Sequence, residues 1–183
     1  MTGWIKSGVL AWVEGTRYDD ETVLVYFKGV DRGFVRDGLI AVRRPPFACG
    51  GDVGGGEWGV VVHPMYDPAR DDYDLIDHRK LCPPGAELVV FVPNPCVAKA
   101  HGPQAYHYRD GRTVSCVDYE APTDVGEYWP NELAAVITAA GPDPEDLDKE
   151  EQLTRLISDH FGLPPLDRGS LAVDRDLVAA HEG

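Results

Sequence analysis

The chain has 183 residues, of which 17 are Lys or Arg and 31 are Asp or Glu, so its formal net charge is −14 at pH 7. Such an acidic chain is poorly suited to bind nucleic acid or an anionic membrane, and we expect neither as a direct partner. The hydrophobic fraction of 43% is enough for a packed core, and the apolar stretches are too short to span a bilayer.

In the first two-thirds of the chain, runs of β-branched and aromatic residues bounded by glycine or proline predict strands. The runs cover residues 9–13, 22–27, 39–42, 58–62 and 88–92. Several are apolar throughout, which is typical of strands that are covered on both faces.

The clearest local signal is Asp110-Gly111, which predicts a tight hairpin turn between strands at 105–109 and 112–117. Regular pairing outward from this turn places His107 opposite Val114, and Ala105 opposite Cys116. His107 and Cys116 then share a face at the distance of a diagonal pair. With Asp118 further along the same strand, they are the candidate catalytic residues if the protein is a small enzyme or a ligand-binding domain. The alternative is a histidine that packs beside a buried thiol.

The final third changes to a helical period. Residues 131–140 and about 144–161 predict helices closed by Gly141 and Gly162, and 174–181 predicts a short third one. We therefore predict an α+β fold with an antiparallel sheet of about six or seven strands, followed by two or three helices. Residues 1–183 are predicted to form a single domain, with a mostly β body over 1–120 and an acidic helical segment over 121–183.

The four cysteines are Cys49, Cys82, Cys96 and Cys116, and no two have Cys-x-x-Cys spacing. A zinc ribbon or a thioredoxin-type redox site is therefore not supported. The first residues lack the basic region and long apolar run of a signal peptide. We expect reduced thiols in the cytoplasm.

Three further motifs have weak functional signals. The glycine tract at 50–56 is followed by neither a Lys-Ser/Thr pair nor a predicted helix, so we interpret it as a hairpin loop and not a phosphate site. The aspartates at 67–77 lack the pattern of a calcium loop, and we predict an exposed loop with a helical turn at 71–79. A metal site would draw on His63, His78, His101 and His107, but no pair has helical ligand spacing, so we predict no metal and no cofactor.

Charge is concentrated at the end of the chain, since residues 117–183 hold 16 acids and 4 bases, a net charge of −12. This favours a non-enzymatic protein that binds a basic protein partner, of the immunity, antitoxin or anti-defence inhibitor kind. The predicted contact residues are Glu145, Asp146, Asp148, Glu150, Glu151, Asp118, Glu120 and Asp124. One alternative is that acids near a helix start only favour the helix and its solvation. A further alternative is a structural component of a phage or another assembly. The oligomeric state is left open.

The order of hairpin, acidic loop and Pro130-Asn131-Glu132-Leu133, with the later Phe161-Gly162-Leu163, resembles an uncharacterised domain family common in actinobacteria. The resemblance covers about the last 80 residues of the chain. It implies no catalytic residues, since the family supplies none.

Overall fold

The computed structural model describes residues 22–50, 58–65, 76–92, 103–126, 130–142, 149–164 and 171–173. The elements run in the order β1 (Thr22–Lys28), α1 (Arg32–Ala41), β2 (Ala48–Gly50), β3 (Gly59–Pro64), a 3₁₀ helix (His78–Leu81), β4 (Glu87–Val92), β5 (Gln104–Arg109), β6 (Arg112–Asp118), α2 (Ala134–Ala140), α3 (Lys149–Phe161) and β7 (Leu171–Val173).

The strands form a seven-stranded sheet in the order β6-β5-β4-β1-β3-β2-β7, and all neighbouring pairs are antiparallel. The predicted α+β class is confirmed. The predicted strands at 22–27, 58–62 and 88–92 correspond to β1, β3 and β4, and the predicted hairpin corresponds to β5 and β6.

The sheet has a hydrophobic core on each face because side chains alternate along each strand. On one face Leu24 and Tyr26 of β1 pack with Ile137 of α2 and with Leu153 and Ile157 of α3. The opposite face of β1 belongs to a second core, with residues of α1 and the 3₁₀ helix: Val23, Val25, Phe27, Val35, Leu39 and Leu81. The fully apolar central strands follow from this coverage on both sides.

Helix α1 corrects one sequence prediction, because residues 39–42 form its last turn and C-terminal cap and not a strand. Asp31 caps the helix by accepting a hydrogen bond from the Gly33 N–H at 2.7 Å. Val35 and Leu39, four residues apart, face the core, whereas Ile40 is 46% exposed. A four-residue apolar run is too short for its period to distinguish a strand from a helix.

The described part of the C-terminal region contains two of the predicted helices, and the first of them is shorter than expected. Helix α2 begins three residues later than predicted and ends at Gly141, whose φ of 57° is left-handed. Helix α3 is described from Lys149, and Gly162 with φ of 63° follows its last residue. The short strand β7 was not predicted, and it pairs with β2 at the edge of the sheet.

Several predictions lie outside the described residues. They are the strand at 9–13, most of the glycine tract, the helix at 174–181 and the start of the helix predicted from residue 144. Of the helical turn predicted at 71–79, the described part shows a 3₁₀ helix that begins at His78. No helix in the described part of the chain combines the length and apolar character that crossing a membrane requires.

Candidate functional site

The β5–β6 hairpin carries a β-bulge that changes which side chains share a face. The predicted pairs of Arg109 with Arg112 and of Tyr108 with Thr113 are present next to the turn. Beyond them the register shifts by one residue, so that His107 pairs with Ser115 and not with Val114. The predicted pairing of Ala105 with Cys116 is therefore wrong.

The shift separates the two candidate catalytic residues. Cys116 pairs with Tyr106, so its side chain lies on the face of the sheet opposite to that of His107. The predicted pairing of His107 with Cys116 in one site is therefore wrong, because their side chains lie on opposite faces of the sheet. Ser115 is fully buried on the His107 side and its hydroxyl accepts the Leu133 N–H at 3.3 Å. That contact lies outside the hairpin, so hairpin pairing rules alone do not predict it.

His107 lies in a charged cluster around Glu87. Its Nε2 is 2.7 Å from a Glu87 carboxylate oxygen, and its ring centre is 4.6 Å from that of Phe161. Glu87 also pairs with Lys28 at 2.5 Å and with Arg109 at 3.2 Å. The cluster therefore joins three neighbouring strands to the end of α3.

Two opposing effects set the pKa values in this cluster: burial, which disfavours charged groups, and the contacts of the groups with one another. Burial lowers the pKa of His107, although Glu87 acts in the opposite direction. Burial would raise the pKa of Glu87, but hydrogen bonds from Lys28, His107 and Arg109 outweigh it and the pKa is lowered. Glu87 is therefore an anion at neutral pH, and its contacts with Lys28, His107 and Arg109 link β4 to the two strands beside it.

An open groove of about 510 Å³ lies on the other face, where β5, β6 and the loop after β6 meet. Its described lining includes Asp118 and Asp124 and contains no Lys or Arg. The other described lining residues are Gln104, Tyr106, Cys116, Ala121, Val125 and Gly126. The structure thus brings together Cys116, Asp118 and Asp124, three of the residues singled out from the sequence.

The environment of Cys116 does not activate its thiol. Burial raises the pKa of Cys116, and the charge of Asp118 raises it further, whereas the hydrogen bond with Tyr106 lowers it. A thiol of raised pKa is protonated at neutral pH and is a weak nucleophile. Tyr106 in turn donates its hydroxyl to the side-chain oxygen of Gln104.

Asn131 fixes the loop that forms one wall of the groove. Its side-chain amide donates to the carbonyls of Pro122 at 3.0 Å and of Asp124 at 3.2 Å. Asp118 accepts the Glu120 N–H at 2.9 Å. In the described part of the chain, no ion pair joins Asp118, Glu120 or Asp124 to a cation. Among the described residues, the carboxylates of Asp118 and Asp124 in the groove have no cation to compensate them.

The acids of α3 form a second acidic surface, apart from the groove. Glu150 and Glu151 lie in its first turn and are half-buried, and Glu151 pairs with Arg155 at 3.0 Å. Glu145, Asp146 and Asp148 lie outside the described residues. The helix also benefits from acids in its first turn, which is the alternative interpretation of these residues.

A pair of buried histidines joins β3 to the 3₁₀ helix, and sequence spacing did not predict their contact. His63 and His78 are 1% and 3% exposed, with 3.2 Å between their Nε2 atoms. The ring centres are 5.5 Å apart, so the two Nε2 atoms point at each other, and a zinc ion held between them would need about 4 Å for two zinc–nitrogen bonds of about 2.0–2.1 Å. The pair is therefore too close to share a zinc ion. Across the described ranges, no three His, Cys, Asp or Glu side chains converge as a metal site requires.

Comparison of the chain with protein-family models, curated proteins and solved structures finds no match. The resemblance to the actinobacterial family stays a prediction, and the function has to be argued from the site itself.

Proposed function

We propose that the protein is a non-enzymatic binding protein that contacts a basic protein partner through the groove between β5, β6 and the following loop. The observation that carries the proposal is the pair of carboxylates, Asp118 and Asp124, in an open groove where none of the described lining residues is a cation. An arginine or lysine side chain is the group that best complements it, because charged hydrogen bonds to carboxylates are about twice as strong as neutral ones.

The other lining residues suit the same occupant. Gln104 offers a side-chain amide, and Tyr106 supplies an aromatic ring that attracts a cation placed within about 6 Å of its centre. Val125 is 67% exposed and adds an apolar contact at the rim. A mixture of aromatic, acidic and apolar groups is typical of a contact that anchors one basic side chain.

The charge of the whole chain supports fast association with such a partner. A net charge of −14 attracts a basic surface at a distance and raises the association rate, more at low salt than at high salt. An immunity, antitoxin or anti-defence inhibitor protein would work by this kind of contact. The proposal places it in the cytoplasm, where Cys49, Cys82 and Cys116 stay free thiols.

The test is a titration of ¹⁵N-labelled protein with a tetra-arginine peptide, followed by NMR. We expect the largest shifts at the amides of Tyr106, Cys116, Ala121 and Gly126, and their loss at about 1 M salt, where screening acts over about 3 Å. A double variant with Asp118→Asn and Asp124→Asn should weaken binding at least tenfold.

The matched control removes two exposed or half-exposed acids from α3, with Glu150→Gln and Asp159→Asn. It changes the net charge by the same amount and should leave groove binding within about twofold. Equal weakening by both double variants would mean that the peptide is attracted by the overall negative charge of the protein and not by the groove. Shifts centred on α3 would reject the groove in favour of the helical surface. The same variants then decide whether a basic protein retained from the native host is bound through the groove.

A further inference from the structure

The His63–His78 contact has a defined proton arrangement. The ring of His63 donates from Nδ1 to the Pro64 carbonyl at 2.8 Å, since a carbonyl only accepts. A neutral His63 then has its lone pair on Nε2, so the hydrogen bond of 3.2 Å must be donated by Nε2 of His78. With both rings neutral, each carries one proton and the N–H···N contact is satisfied, while the backbone hydrogen bond of His78 with Ile76 favours the next proton on that ring.

The two rings meet head-on. Their centres are 5.5 Å apart, which is the Nε2···Nε2 separation plus the distance from each ring centre to its own nitrogen. The Nε2 atoms therefore lie on the line between the rings, which is the geometry of a straight N–H···N hydrogen bond. This contact links the end of β3 to the first residue of the 3₁₀ helix.

We propose that His63 and His78 form an acid-sensitive clasp that holds the 3₁₀ helix against the sheet at neutral pH and releases it when the pair is protonated. A first added proton can enter at Nδ1 of His78 and leave the N–H···N bond in place. A proton on Nε2 of His63 sets two N–H groups against each other, and the clasp cannot persist. The proposal is independent of the groove and its partner.

The surroundings oppose positive charge at His63 more than at His78. Arg44 is 1% exposed, donates to the Met65 carbonyl at 3.2 Å, and its charge disfavours a cationic His63. Asp77 favours a cationic His78, but its carboxylate is already bound by Arg79 at 2.7 and 2.9 Å. Tyr108 packs its uncharged ring near His78, with 6.1 Å between the ring centres.

The direction of titration agrees with this geometry. Burial lowers the pKa of His63 well below its usual range, and the charges of His78 and Arg44 lower it further. Burial lowers the pKa of His78 to about 4, against the opposing effect of Asp77. Both rings are therefore neutral in the folded protein at pH 7.

Release of the clasp would free a segment that packs on α1. Leu81 of the 3₁₀ helix shares a core with Val35 and Leu39, and it lies so close to Gly38 that a side chain there would overlap it. The 3₁₀ helix has four residues and few backbone hydrogen bonds of its own, so its position depends on such contacts. Acid would thus expose Leu81 and the residues of α1 that it covers.

The direct test is NMR of the uniformly ¹⁵N-labelled protein, read at the imidazole nitrogens. At pH 7.5 we expect His63 as the Nδ1–H tautomer, His78 as the Nε2–H tautomer, and a nitrogen–nitrogen scalar coupling between their Nε2 atoms. The coupling should vanish on acidification, together with a fall in the hydrogen-exchange protection factors, corrected for the intrinsic pH dependence of exchange, at the amides of Lys80 and Cys82. Absence of the coupling at pH 7.5, or protection factors that do not change with pH, would overturn the clasp.

A variant test uses the pH dependence of unfolding. His78→Gln keeps an N–H donor near the position of Nε2 but cannot titrate. Between pH 7.5 and pH 5, each ring that is neutral only when folded raises the unfolding constant about 30-fold. We expect this rise to be about 30-fold smaller in His78→Gln, and unchanged in His160→Gln, which alters an exposed histidine of α3. Equal rises in both variants would overturn the proposal, and the NMR result decides if His78→Gln does not fold.

Discussion

At the scale of single residues, Glu87 has more charged partners than any other acid that the structure describes. It is 12% exposed in its side chain and binds Lys28, His107 and Arg109. Three donors compensate the cost of removing this carboxylate from water, which a single exposed pair would not do. Folding lowers the pKa of Glu87. The charged carboxylate therefore contributes its full stabilisation at pH values above the pKa of the unfolded chain, and this stabilisation is lost as the pH falls through the lower pKa of the folded protein.

Replacing Glu87 with Gln should lower the free energy of unfolding by about 1.5–3 kcal/mol, because hydrogen bonds to a charged group contribute in that range. Urea denaturation at pH 7 measures the loss. Glu120→Gln is the control, since its exposed carboxylate has no partner in the described ranges, and it should change the free energy by less than about 0.5 kcal/mol. Equal losses in the two variants would mean that the Glu87 contacts contribute nothing beyond general charge.

Cys116 should react slowly with thiol reagents at neutral pH, because its raised pKa leaves little thiolate. The measurement uses a background in which Cys49, Cys82 and Cys96 are changed to Ser. We expect Asp118→Asn to speed the reaction several-fold, since the nearby negative charge opposes the thiolate. Reaction as fast as that of an unhindered low-pKa thiol would return an enzymatic role to consideration.

At the scale of elements, the turn after β1 needs glycine for two reasons. Gly29 has φ of 71°, and a side chain at this position would overlap the carbonyl oxygen of Gly85 in the turn before β4. Gly141 at the end of α2 has a similar φ of 57°, but no atom of the described residues lies within 4 Å of the position that a side chain would take. The pair therefore separates the cost of backbone conformation from the cost of crowding.

We expect Gly141→Ala to cost about 1–2 kcal/mol, the usual penalty for a left-handed residue with a side chain. Gly29→Ala should cost clearly more, because the two turns must also move apart. Thermal and urea unfolding of both variants measure the difference. Equal costs would show that the two turns separate freely, against the tight approach seen between β1 and β4.

The elements also show how far the sequence alone could lead. The central strands and the hairpin turn were predictable, because long apolar runs and Asp-Gly report local preferences. Helix α1 was missed because Leu39 to Val42 is short enough to suit either period. The bulge at Val114 was missed because no residue of the hairpin marks it, and the contact of Ser115 with Leu133 that accompanies it comes from outside the hairpin. The groove needed the three-dimensional position of the loop that Asn131 holds.

At the scale of the whole molecule, a net charge of −14 repels itself in the compact state. We expect the melting temperature to rise by a few degrees between about 0.01 M and about 1 M sodium chloride, where screening lengths fall from about 30 Å to about 3 Å. A variant with Glu132→Lys and Asp159→Lys reduces the net charge from −14 to −10. It should show a smaller rise, and an equal rise would attribute the effect to general salting-out.

The bulge in β6 has an evolutionary consequence. Val114 is the residue by which β6 exceeds regular pairing, so deletion of its single codon would leave Cys116 opposite Tyr106 and Asp118 opposite Gln104. Regular pairing that keeps Val114 would instead set Cys116 opposite Ala105, on the face that His107 occupies, and would carry Asp118 out of the groove. A three-base deletion at Val114 therefore preserves a surface suited to holding a basic side chain, whereas substitutions that flatten the bulge would place a thiol beside an imidazole.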